Sequence, residues 1–156
     1  MLTVEIPSYL TFKLHNEQFA INVSQVLEIL EMKAITKIPK APDFMLGVIN
    51  LRGNILPVID TRNKFGMPSA TFTIDTCIIV LSIQTGKDTV LAGAVVDAVQ
   101  KVIDIPTEQI HPSSSLKTMY REDFISGISK IDDDFVMILN IDKVFSANEA
   151  EALIVN

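Results

Sequence analysis

The chain has 156 residues, a net charge of −6, 48% hydrophobic and 21% charged residues, and no Trp. That length supports one domain, or two small units sharing a core, in an ordinary soluble globular protein. The acidic balance excludes sequence-independent binding to nucleic acid or to an anionic membrane surface.

The opening MLTVEIPSYL lacks the basic region and apolar core of a signal peptide, and no run approaches the ~18 apolar residues of a membrane-spanning helix. The expected location is the cytoplasm. Tyr9–Leu14 alternates as a half-buried strand, His15-Asn16-Glu17 is a turn, and Gln18–Val23 returns as a second strand. From Val23 the period changes. Val23, Val26, Ile29 and Leu30 recur at helical spacing, with Ser24 as N-cap and Glu28 on a different face, which predicts one or two turns of helix. Such a stripe is either a core face or a contact surface. Ala34–Phe44 holds two prolines and is expected to be extended and irregular.

The most informative stretch follows, GVINLRGNILPVIDTR from Gly47 to Arg62. Two apolar runs around Arg-Gly-Asn predict a β-hairpin, with Gly53 at a positive φ and Arg52 at the tip. Pro57 cannot donate to a ladder, so its strand should lie at an edge or carry a bulge. Asp60 is a candidate N-cap for one or two helical turns ending near Lys64 and Gly66.

Met67–Thr73 is a loop, and Cys77–Ile83 is a buried strand in which Cys77, the one cysteine, acts as a small hydrophobe and not as a reactive thiol. A turn at Gly86 leads to a strand over Thr89–Val96, after which Val96, Val99 and Val102 repeat the every-third spacing. Asp104–Ser115 is expected to be loop. Ser126–Ile131 and Phe135–Ile141 form a second hairpin around Asp132-Asp133-Asp134, Asp142–Phe145 starts a short helix, and the remaining C-terminal residues form an amphipathic tail.

This order is an internal repeat. Strand, every-third apolar spacing, Pro-containing loop, hairpin and an Ile-Asp close occur in residues 18–65 and again in 92–145. Two small β units in the form of closed or partly closed barrels are predicted, because closure removes exposed strand edges. Sequence signatures of catalysis and of metal binding are missing. His15 and His111 sit in separate loops, the Asp132–Asp134 run lacks the alternation and distal Glu of a calcium loop, and Asp60 and Asp142 both look like helix caps.

The residues GVINLRGNILPVIDTRNKFG, preceded by FAINVSQVLEIL and ITKIPKAP, closely resemble the CheW family of bacterial chemotaxis coupling proteins, from about Tyr9 to Phe145. The resemblance implies an all-β fold of two intertwined five-stranded SH3-like barrels with short helices. Within a single domain spanning 1–156, the expected division is about 15–85 for the first barrel and about 86–146 for the second, with strand 9–14 a candidate to join the latter and 147–156 a tail. It also implies an adaptor with no catalytic residues, no metal and no cofactor. The implied partners are methyl-accepting chemotaxis receptors and the regulatory domain of the histidine kinase CheA, with recruitment to membrane-associated receptor arrays but no insertion into the membrane. Carried over by position, Leu10, Val23, Val26, Ile29 and Val99 would line a receptor groove bordered by Asn50 and Arg52. Glu28 and Arg52 would form a supporting ion pair. Ile38 and Phe44 are candidates for kinase contact. Thr61 departs from the family, where many members place Leu. A scaffold for a non-chemotactic receptor–kinase pathway, or more remotely a small β-barrel enzyme, are the alternatives.

Overall fold

The structure, a computed structural model, describes residues 6–69, 71–112 and 124–144. The alternating and continuous apolar runs become eleven strands: β1 (Ser8–Leu14), β2 (Glu17–Asn22), β3 (Val26–Glu31), β4 (Met45–Leu51), β5 (Asn54–Asp60), β6 (Cys77–Thr85), β7 (Asp88–Val96), β8 (Ala98–Asp104), β9 (His111–Pro112), β10 (Ile125–Ile131) and β11 (Asp134–Leu139). Two four-residue helices, α1 (Thr61–Lys64) and α2 (Ile141–Val144), follow β5 and β11. The tail expected at 147–156 lies outside the described residues.

The strands form two sheets, in the orders β8-β1-β2-β11-β10-β9 and β3-β6-β7-β5-β4. The two halves of the chain correspond element by element, and they exchange strands. The first-half β2 pairs in parallel with second-half β11, through Ala20↔Ile138. The second-half β7 pairs in parallel with first-half β5, through Val58↔Gly93. The expected division at about residue 85 departs from the structure at two strands: β2 sits with the C-terminal strands, and β7 sits with the first hairpin. Each sheet curls until its ends meet. The chain leaving β3 reaches β4 through reciprocal Thr36–Val48 backbone bonds of 2.9 Å. In the other sheet β9, which follows β8 in the chain, pairs with β10 through Gly127↔Pro112 and Ile128↔His111. The fold is thus two intertwined five-stranded barrels, the second carrying the short added strand β9.

Burial follows from this exchange. In β6, Ile79 and Leu81 face a central cluster together with Leu10, Phe12, Phe19 and Ile21 of the other sheet, while Ile78 and Val80 face a cluster with Ile49, Leu56 and Val58 inside their own barrel. Both faces of β6 are covered, which is why CIIVLSI reads as a continuous apolar run rather than an alternating one. Burial leaves the Cys77 thiol partly exposed and pushes its pKa up. A third cluster, with Tyr9, Ala20, Ile105, Val136 and Ile138, fills the other barrel. Each fully buried aliphatic side chain contributes about 1.5–3 kcal/mol.

The helix predicted from Val23 to Leu30 is absent. Only Val23–Gln25 forms a single 3-10 turn, capped by Asn22, whose Oδ1 accepts from Ser24 N at 2.9 Å, and Ser24 is not the cap. The remaining residues are β3, and a β-bulge accounts for the misleading spacing. Val26 pairs with Leu81 but Glu28 pairs with Val80, so β3 carries one extra residue there. The insertion puts Val26 and Ile29 on one face at a separation of three, in a strand whose normal period is two. The same device acts in β8, where Leu10↔Val102 and Phe12↔Val99 leave two residues opposite Thr11. Thr11 Oγ1 donates to Lys101 O at 3.0 Å and accepts from Lys101 N at 3.2 Å, which holds the bulge open.

Pro57 also departs from expectation, because β5 is an interior strand. The β7 pairing begins at Val58, just past the proline, so the missing N–H interrupts no bond to β7. Asp60 caps α1, accepting from Asn63 N at 3.3 Å. In the second half the cap is Asn140, which accepts from Lys143 N at 3.3 Å, and Asp142 lies inside α2. Thr61 is buried, and its hydroxyl finds no partner among the described residues. Thr61→Val keeps the shape and removes that hydroxyl. It should raise stability by about 1 kcal/mol, seen as a higher urea midpoint at unchanged slope. A lower midpoint would show that the hydroxyl is satisfied.

Candidate partner-binding site

The two bulged edge strands carry the apolar positions singled out in the sequence. On β3, Val26 packs partly buried against the central cluster, and Ile29, on the same face, is 45% exposed. Val23 extends the row from the preceding turn and is also exposed. On β8, Val99 packs partly buried against the same cluster, and Val102 is 59% exposed. Each strand is the free end of its sheet order, so each bulge turns a short aliphatic row toward the border of the central core. Two such rows, one per barrel, flank a single apolar cluster.

Leu10 does not belong to the exposed surface. It is 4% exposed within the central cluster, opposite Ile21 on one side and Val102 on the other. It can support Val102 from beneath, but its place is in the core and not on the groove lining that the resemblance implies, because neighbours on both flanks and the core below cover it. Val102 takes the exposed place instead, and Leu27, the extra residue of the β3 bulge, is exposed as well. The every-third spacing marked Val102 in the sequence. Leu27 carried no such signal, since its exposure depends on the bulge.

The β4–β5 hairpin turns in two residues, Arg52 at φ 50° and Gly53 at φ 86°. Both central residues are left-handed, the geometry that matches the twist of the flanking strands. Asn54 already belongs to β5, opposite Leu51. Asn50 Oδ1 accepts from Gly53 N at 2.8 Å, so Asn50 braces the turn. Beyond the tip, Arg52 meets Glu28 of β3 as a two-pronged pair, with Nη1 to Oε1 at 3.0 Å and Nη2 facing Oε2. The arginine side chain is 68% exposed and the glutamate 27%. β3 and β4 are the opposite ends of their sheet, and the pair adds a side-chain tie beside the Thr36–Val48 closure.

Ile38 and Phe44 lie in and just after the Pro-containing connection and pack partly buried against the central cluster. Lys64 Nζ sits 4.7 Å from the centre of the Phe44 ring. Among the described residues no three His, Cys, Asp or Glu gather as a metal site, and no helix is long and apolar enough to cross a membrane. The surface thus offers two aliphatic rows beside the central cluster, and an ion pair that ties the β4–β5 hairpin to β3.

Comparison with known proteins agrees with this architecture. The family model described as "CheW-like domain" matches residues 8–149. The chain is 34% identical to the chemotaxis protein CheW of Klebsiella aerogenes, over 90% of this chain and 82% of that protein. It is 31% identical to the chemotaxis protein CheW of Rhizobium meliloti, over 92% of this chain and 90% of that protein. The crystal structure of the scaffolding protein TtCheW from Thermoanaerobacter tengcongensis superimposes with a TM-score of 0.81 at 34% identity, covering 93% of this chain and 96% of that one. The chain belongs to the CheW-like domain family of chemotaxis scaffolding proteins.

Proposed function

We propose that this chain is a non-enzymatic adaptor that couples the cytoplasmic tips of chemoreceptors to the histidine kinase CheA in membrane-associated arrays. The observation that carries the reading is the pair of aliphatic rows, Val23, Val26 and Ile29 on one barrel and Val99 and Val102 on the other, flanking one apolar cluster. A receptor tip is a helical hairpin, and a helix is recognised by burying a few aliphatic anchors at its contact face. Arg52 and Asn50 are assigned to the border of this surface by the family resemblance; Asn50 braces the turn, and the Arg52–Glu28 pair ties the hairpin to β3 through the face opposite Ile29. Ile38 and Phe44 remain the candidates for the kinase-facing surface.

A double-mutant cycle on Glu28→Ala and Arg52→Ala, read as affinity for a receptor cytoplasmic fragment, tests the arrangement. An exposed pair contributes only ~0–1 kcal/mol to folding, so neither single variant should move the unfolding midpoint appreciably. Receptor affinity should fall in both. The double variant should be little worse than the weaker single one, because either change releases the hairpin. Additive losses would mean that the two residues act independently.

A further inference from the structure

Two ties, each joining three distant points of the chain, are made by side chains that the docking surface itself does not use. In the first tie, Arg62 of α1 reaches Asp97, at the corner between β7 and β8. Its Nε lies 2.9 and 3.0 Å from the two carboxylate oxygens, and Nη2 faces Oδ2. Asp97 Oδ2 also accepts from the backbone N–H of His15, just past β1, at 2.6 Å. In the second tie, Asp142 of α2 uses Oδ1 to accept from Gln25 Nε2 at 3.1 Å, at the corner between β2 and β3. The same oxygen accepts from the backbone N–H of Gln84, in the last turns of β6, at 3.0 Å.

The two ties join corresponding places. Phe44 O accepts from Asp60 N at 2.8 Å and Phe124 O from Asn140 N at 2.9 Å, which aligns the starts of α1 and α2. On that alignment Arg62 and Asp142 occupy the same position in their helices. β1 corresponds to β6, and the β2–β3 corner corresponds to the β7–β8 corner. The chemistry is reversed between them. In one tie the carboxylate sits on the corner and the donor on the helix; in the other the carboxylate sits on the helix and the donor on the corner. What is common is one carboxylate that holds a strand-end N–H and a corner or helix side chain at once.

Each corner leads directly into one aliphatic row. Asp97 precedes Val99 and Val102, and Gln25 precedes Val26 and Ile29. We infer that Arg62 and Asp142 are positioning residues that set the pitch of the two docking rows, each from the helix that follows a hairpin strand of the opposite barrel. This rests on the functional reading above for the identity of the docking partner, whereas the hold on the corners is independent of it. The side-chain bonds of both ties are part-buried and the bonds to His15 N and Gln84 N are exposed; every one of them is accepted by a carboxylate, which makes it stronger than a bond between neutral groups.

The test uses Asp142→Ala, Asp142→Asn and Ile29→Ala in the full chain. Two readings are taken: affinity for a receptor cytoplasmic fragment, and amide hydrogen exchange without partner. An asparagine oxygen can still accept both bonds, so Asp142→Asn should keep affinity within about twofold of the parent, whereas Asp142→Ala should weaken binding about fivefold or more. Exchange at Ser24–Ile29 should quicken in Asp142→Ala alone, with β7 protected as before. Unchanged affinity and unchanged corner exchange in Asp142→Ala, while Ile29→Ala weakens binding, would overturn the inference and leave the adaptor reading standing. If the parent protein itself bound no receptor fragment, the adaptor reading would fall. The positioning role would then be judged by exchange alone, supported by quickening that Asp142→Asn reverses and overturned by its lack. A general loss of protection across β6 and β7 in Asp142→Ala, not reversed by Asp142→Asn, would show a plain stability effect and would also overturn it.

Discussion

Gly47→Ala should lower folding stability by about 3 kcal/mol or more, the largest effect expected of any single methyl group added to this chain. A Cβ at Gly47 would fall well inside van der Waals contact with Thr36 O and within 2.8 Å of Ile35 Cγ2 and of the Thr36 carbonyl carbon. Backbone cannot retreat there, because the Thr36–Val48 bonds that close the barrel run through the same place. The φ of 148° adds strain to the clash. Gly53→Ala is the control. It also has a positive φ but nothing within 4 Å of the added carbon, so about 1 kcal/mol of backbone strain is its whole cost. Urea unfolding of the two variants distinguishes closure by close approach from turn strain; equal losses would remove the argument that barrel closure depends on Gly47.

Ile29→Glu should abolish receptor binding to within the reach of an ordinary titration, a loss of about 3 kcal/mol or more, with little change in folding. The side chain is 45% exposed, so a carboxylate there remains hydrated in the free protein. In a complex the same carboxylate would be desolvated against apolar anchors with no cation on the same face of β3, and that penalty opposes binding. Val26→Ala should cost less, about 1–3 kcal/mol of binding, and it would also loosen packing against the central cluster. A comparison of both variants by calorimetric titration and by unfolding midpoint separates a docking surface from a core face. Undiminished binding by Ile29→Glu would move the docking surface away from β3.

Much of this was legible in the sequence, for local reasons. The β4–β5 hairpin, the positive φ of Gly53 and the Asp60 cap are each encoded within a few residues and lie where those residues placed them, although the turn is Arg52-Gly53 and Asn54 already belongs to β5. The repeat was legible as well, since both halves carry the same order of elements. What failed were features that depend on distant pairing. An every-third apolar spacing is the mark of a helix unless a bulge supplies the extra residue, and the bulges of β3 and β8 are defined only by their registers with β6 and β1. The strand exchange was implied only by the family resemblance and not by the residues themselves, because parallel pairing of β2 with β11 joins opposite ends of the chain. The Ile-Asp match between the two closes was two residues out of register: Asp60 corresponds to Asn140, and Asp142 is freed for a different task. Leu10 was placed in the groove by position in the family alone, and β1 is covered on both faces over Tyr9–Phe12, so its side chain lies in the core. Arg52 and Glu28 do meet as the expected pair, and they do so because the curled sheet brings its two ends together, a consequence of closure rather than of sequence spacing.

The central claim is that one molecule of this chain joins a receptor to a kinase, and retention of CheA on immobilised receptor cytoplasmic fragments tests it most directly. The kinase should be retained only when the chain is present, in proportion to the chain bound, and retention should be lost with Ile29→Glu. Equal retention of CheA with and without the chain, or receptor binding by the chain that carries no kinase with it, would contradict the account.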